Sequence, residues 1–204
     1  VPFVRLSSGE SPRLDLVSYF LIGLALIIFL YGSTYTSESA LSGASIVGLA
    51  ILGAGVAGIH LNGGFSRDPS LSPGELGGSA GMIMISLVAV AGVNYGAQLV
   101  TFSVEQAPVT MGLYLAMIGV AEEVFFRGFL LSFAASRLGD VLGVLVSAGM
   151  GAVYHAQVYG WSNQNLAIVF GSFAVLGFAY VASGRRLSVP MVAHAAVNLL
   201  SALG

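Results

Sequence analysis

The sequence predicts an all-α, polytopic transmembrane helical bundle of about seven spans, and three observations carry that prediction. Of the 204 residues, 56% are hydrophobic and only 8% charged, with a mean hydropathy of +0.91, whereas soluble domains carry roughly 25% charged residues. Apolar segments recur along the whole chain, each near the roughly 17–25 residues that cross a hydrocarbon core. The arginines, finally, fall between those segments in the asymmetric pattern that membrane orientation produces.

The first segment, Leu16 to Tyr31, follows Arg5 and Arg13. A basic start before an apolar run could be a cleaved signal, but no small-residue cleavage site follows, so an uncleaved anchor is expected. The second segment, Ala40 to Ile59, is rich in Gly and Ala, which suits close helix packing in lipid. His60 at its end is read as an interfacial residue. A polar connection from Asn62 to Gly78 leads to the third segment, Ser79 to Phe102, and Glu105 to Pro108 forms the next link. The fourth segment, Thr110 to Ala135, closes with Arg137-Leu138-Gly139-Asp140. The fifth runs from Val141 to Tyr159, the sixth from Leu166 to Ala182, and the seventh from Ser188 to the end. The chain reads as one integral membrane domain, 1–204, with three spans in 1–109 and four in 110–204.

With the N-terminus on the cytoplasmic side, the inner loops carry Arg5, Arg13, Arg67, Arg137, Arg185 and Arg186, and the outer loops carry none. That matches the positive-inside rule and places the protein in the cell membrane as a multi-pass chain. The net charge of −2 gives no general attraction to nucleic acid, and the absence of cysteine excludes disulfides, a thiol nucleophile and Cys-ligated zinc.

The seventh arginine, Arg127, lies inside the fourth apolar segment with Glu122 and Glu123. Ionisable residues at such depth cost several kcal/mol and mark functional sites by default. Positions four apart share a helical face, so Glu123 and Arg127 are expected to pair along their own helix. Glu122, rotated by about 100° from Glu123, is then left for another helix. The alternative is a neutralised cluster that only locks helices together.

His155 lies deep in the fifth segment, and His194 and Asn198 lie four apart on the seventh. Lone intramembrane histidines are commonly structural. Three helices carrying such groups must nevertheless satisfy them with one another or with water, and one shared pocket does so most economically. The residue types suit hydrolysis. A buried Glu can act as general base on water, a neighbouring His can hold that water, and a His–Asn pair can donate to an oxyanion. No Gly-x-Ser-x-Gly is present.

The order Glu-Glu-x-x-x-Arg, then His, then His-x-x-x-Asn, each on its own apolar helix, resembles the CAAX prenyl protease and bacteriocin-processing family of intramembrane endopeptidases. The resemblance covers roughly Thr110 to Leu203. It implies that Glu122 activates water with His155, that His194 and Asn198 stabilise the oxyanion, and that Glu123 and Arg127 support the site. One departure stands out: the family's second motif often reads Phe-x-x-x-His, and here Gly151 stands four before His155. Pro190, four before His194, is expected to kink or open the last helix.

The favoured reading is a metal-independent, glutamate-type endopeptidase acting on a membrane-anchored or prenylated protein or peptide in the lipid bilayer, with no cofactor. A second reading uses zinc held by His155, His194 and Glu122, residue types that suffice for a catalytic site, although His-Glu-x-x-His is absent. A third is non-enzymatic: a membrane scaffold, partner-binding protein or small transporter. One tension accompanies all three. At about 1.5 Å per residue, Glu122 and His155 fall about 20 Å from the inner ends of their helices, while His194 falls only about 10–14 Å from its own.

Overall fold

A computed structural model describes residues 11–35, 39–67, 79–90 and 109–203. Arg5, the expected link Glu105–Pro108, the chain beyond Arg67 in the polar connection, and the far part of the third segment lie outside them. The described helices are α1 (Leu16–Tyr35), α2 (Ser39–Leu61), α3 (Ser79–Val90), α4 (Val109–Glu123), α5 (Ser132–Leu138), α6 (Asp140–Tyr159), α7 (Asn163–Ala182) and α8 (Ser188–Leu203). Between α4 and α5 the chain continues without a break as a π-helix, Val124–Leu131, so α4 to α5 is one long rod.

The boundaries have local causes. Gly139 and Gly160 take positive φ values of 82° and 89°, which glycine tolerates, and end α5 and α6. Ser162 accepts a hydrogen bond from the Asn165 amide at 3.1 Å, an N-cap that starts α7 three residues ahead of the apolar run at Leu166. Pro190 lies in the first turn of α8, where its missing N–H has no helical partner to lose. The expected kink there is therefore replaced by a helix start.

The long rod is the centre of the bundle. Helix α4 packs against α8, α2 and α1; the π-helix packs against α2 and α6; α6 lies along α7. Their shared core includes Phe29, Leu52, Ile59, Val120, Leu131 and Met191, all buried. The outward faces carry large apolar side chains such as Phe20, Ile27, Val88 and Val141. Among the described residues, Asn163–Ala182 is long and apolar enough by itself to cross a membrane.

One element has no counterpart in the expected all-helical reading. Arg13–Leu14 forms a short strand (β1) parallel to Ser66–Arg67 (β2), and Arg13 also bridges to Arg186. The Arg13 amide donates to the Arg185 carbonyl at 2.8 Å, and the Leu187 amide donates to the Arg13 carbonyl at 3.1 Å. Asp15 caps α1 through the Ser18 amide at 2.8 Å and hydroxyl at 2.9 Å, and its other oxygen accepts from the Ser188 hydroxyl. These contacts cover the turn before α8, so Arg185, Arg186, Leu187 and Ser188 are buried. The turn that leads into α8 is thus covered by the N-terminal strand, and His194 reaches Glu122 despite the depth mismatch expected from helix rise.

The π-helix is held by close approach and by hydroxyls. A Cβ at Gly55 would lie 2.9 Å from the backbone of Phe125, so α2 rests directly on the π-helix main chain. Ser132 donates to the Arg127 carbonyl at 3.1 Å, and Ser147 of α6 donates to the Phe126 carbonyl at 2.8 Å. Gly55→Val is therefore expected to destabilise the fold by about 1–3 kcal/mol, the usual penalty of overpacking. Gly23→Ala, where nothing lies within 4 Å of the added carbon, is expected to leave it unchanged. Denaturation midpoints in detergent, followed by circular dichroism, compare the two.

Candidate active site

Glu122 and Glu123 close α4, immediately before the π-helix that carries Arg127. All three are buried, at 3%, 0% and 0% exposure. Burying an uncompensated ion is very costly, so their partners decide whether the arrangement is tenable. Glu123 Oε1 lies 2.9 Å from an Arg127 terminal nitrogen. The other terminal nitrogen of Arg127 donates to the Phe173 carbonyl at 2.9 Å, and the guanidinium lies 4.4 Å from the centre of the Phe173 ring. The pair is intrahelical across four positions, and α7 completes it.

Glu122 points elsewhere. Its Oε1 faces Nε2 of His155 on α6 at 3.5 Å, and its Oε2 faces Nε2 of His194 on α8 at 3.7 Å. Each imidazole is held from behind. Nδ1 of His155 lies 2.9 Å from the Gly151 carbonyl, which only accepts, so that nitrogen carries the proton. Nδ1 of His194 lies 2.7 Å from Glu123 Oε1 and donates to the carboxylate. Two Nε2 atoms therefore flank one carboxylate, with gaps of the size a water commonly bridges.

Glu123 links the two halves of the site, since one oxygen serves both Arg127 and His194. Two carboxylates against one guanidinium leave one negative charge over, and a single proton on Glu122 or an imidazole makes the cluster neutral. The donor types suit a catalytic metal, and an imidazole backed by a carbonyl or carboxylate is common in such sites. Among the described residues, however, no group of three or more His, Asp or Glu side chains is placed to hold a metal ion.

Asn198 is engaged differently. Its amide nitrogen donates to the Leu115 carbonyl of α4 at 2.9 Å, one helical turn along α8 from His194. Between them stands Gly119, where a Cβ would lie 3.0 Å from the Asn198 amide nitrogen and 3.2 Å from the His194 ring. Gly119 was not singled out from the sequence, although a small residue one turn before two buried carboxylates was a signal available there. Phe173 was also passed over, because one phenylalanine in an apolar helix looks like any other. Its ring occupies the space that Gly151 leaves open, so an aromatic from α7 packs where the departure from the Phe-x-x-x-His pattern would have left a gap. His60 is exposed at the end of α2 and takes no part in the contacts described for the site.

Residues 104–200 match the family of type II CAAX prenyl endopeptidase Rce1-like proteins. This C-terminal segment is thus similar to the CAAX prenyl protease and bacteriocin-processing family, whose Rce1-like members are membrane-embedded endopeptidases. Comparison with curated proteins gives no match, and comparison with solved structures gives none either. The matched segment takes in Glu122, Glu123, Arg127, His155, His194 and Asn198.

Removing one partner of a buried ion pair costs about 3–5 kcal/mol, because the other charge is stranded. Arg127→Met is therefore expected to lower stability by that amount, and Arg127→Met combined with Glu123→Gln by clearly less. Chemical denaturation of the single and double variants measures the coupling.

Proposed function

We propose that the protein is a multi-pass intramembrane endopeptidase in which Glu122 activates water, without a metal, to cleave membrane-associated or prenylated CAAX-type proteins. The observation that carries this reading is the placement of the buried Glu122 carboxylate between the Nε2 atoms of His155 and His194. Neutral His155, with its proton on Nδ1, offers a lone pair at Nε2. A water between them donates one hydrogen to Glu122 and the other to His155, leaving its own lone pair aimed outward as a nucleophile.

The bond changes follow. Glu122 takes a proton from water as the oxygen adds to the peptide carbonyl carbon, and the carbonyl oxygen becomes an oxyanion. His194, with a carboxylate behind Nδ1, donates from a protonated Nε2 to that oxyanion, together with the Asn198 N–H that Leu115 does not use. As the tetrahedral species collapses, Glu122 returns its proton to the departing amine. A carboxylic acid, which gives up its remaining water-derived proton to solvent on release, and a free amine result, and the site is restored. Glu123 and Arg127 hold His194 and the end of α4 in place.

Two features support the multi-pass reading. Charged groups are gathered inside while large apolar side chains face outward, the arrangement expected in lipid. The arginine-bearing connections also meet at one end. β1 lies beside β2 and beside Arg186, and Arg185 pairs with Asp140, next to Arg137, at 2.5 Å. That clustering supports a cytoplasmic N-terminus under the positive-inside rule. The Rce1-like match supports CAAX-type substrates.

The test is cleavage of membrane-anchored peptides, farnesylated CAAX peptides among them, by the purified chain in lipid nanodiscs. Glu122→Gln and His155→Gln are each expected to lower kcat by about 10²–10⁴-fold, with folding intact. Chelators are expected to have no effect. Chelator inhibition reversed by zinc would replace the glutamate mechanism with a metal-dependent one. A wild type that cleaves no member of the panel would favour a scaffold that uses the same polar pocket.

A further inference from the structure

An imidazole is held at Cβ and by its Nδ1 hydrogen bond, and the rings packed against it narrow the motion that remains. His155 and His194 come from different helices, yet both present Nε2 to the same carboxylate. Aromatic packing adds to the two hydrogen bonds, with Tyr154 beside His155 at 4.9 Å between ring centres and 86°. The Phe173 ring meets both: its centre lies 5.1 Å from that of His155 at an interplanar angle of 65°, and 6.0 Å from that of His194 at 79°. Such edge-to-face contacts are orientation-dependent in a way that aliphatic packing is not.

The same residue is itself held in place. Its ring stacks under the Arg127 guanidinium at 4.4 Å, and its carbonyl accepts from that guanidinium at 2.9 Å. Phe126 packs on it edge-on at 5.1 Å, and Gly151 admits the ring because any side chain there would overlap it. The electron-rich face of an aromatic ring attracts a cation, and its T-shaped contacts with the two imidazoles depend on the angle between the rings.

We infer that Phe173 is a positioning residue: one ring on α7, anchored by Arg127, sets the planes of His155 and His194 so that both Nε2 atoms face Glu122. The role deepens the peptidase reading and rests on it for its effect on rate, while the geometry it sets can be read independently. Leucine fills much of the same volume but cannot orient an imidazole or attract a guanidinium, so Phe173→Leu separates orientation from filling.

Nitrogen-15 NMR of the full chain in nanodiscs, with labelled histidine, reads the tautomers directly. The protein has three histidines, and His155→Gln and His194→Gln assign the signals. In the wild type, His155 is expected to hold its proton on Nδ1 alone. In folded Phe173→Leu, that single form is expected to give way to a mixture, with kcat down by about 10- to 100-fold and KM within about twofold. If Phe173→Leu fails to fold, Gly151→Phe combined with Phe173→Ala decides, because it supplies a ring to the same space from α6. Return of the single tautomer in that double variant supports the role. Wild-type histidine signals in Phe173→Leu, or mixed tautomers in a folded double variant, overturn it. A wild type without peptidase activity would remove the proposed function but leave the tautomer result to decide the role of Phe173.

Discussion

A guanidinium buried at 0% exposure dictates much of the rest of the site. Left alone, Arg127 would make the bundle untenable, since stranded charge in a low-dielectric interior costs several kcal/mol even after relaxation. Its partners are therefore drawn from several directions: Glu123 from its own rod, and the carbonyl and ring of Phe173 from α7. Glu123 in turn holds His194 of α8. Charge neutralisation and the alignment of three helices are here a single event, and Glu122 is placed as a by-product of it.

Much of this was legible from the residues. The apolar segments fall close to the observed helices, because a long run of apolar residues in this composition has few alternatives to a helix. The pairing of Glu123 with Arg127 followed from helical periodicity, which survives even though the π-helix begins at Val124. The π-helix itself was not legible. It depends on the Ser147 hydroxyl reaching the Phe126 carbonyl and on Gly55 meeting Phe125, and both partners are remote in sequence. The convergence of His155 with His194 was also in tension with simple rise per residue. That calculation treated the helices as parallel rods with a common starting level, and the contacts of both imidazoles with Glu122 show that the three helices meet nonetheless.

The segment matched by the family begins at residue 104, yet the geometry of the site does not. Asp15 grips Ser188 at the head of α8, β1 lies over the turn before it, and α2 supports the π-helix through Gly55. The first helices read as generic because outward-facing apolar residues are interchangeable in sequence. Their informative positions are few: one aspartate and one glycine. Such positions carry no pattern that periodicity could reveal.

The four-residue spacing of Glu123 and Arg127 has a consequence for how the protein is made. A chain synthesised from its N-terminus exposes each charge before later segments exist to balance it. Because both members of the pair lie on the same rod, they meet as soon as that helix forms, before α6, α7 or α8 has been synthesised. Glu122 has no such local partner, and the imidazoles that face it come from α6 and α8, the first and the last helices of the α6–α8 stretch to emerge. Synthesis therefore delivers the ion pair first and completes the cluster around Glu122 only once α8 has emerged.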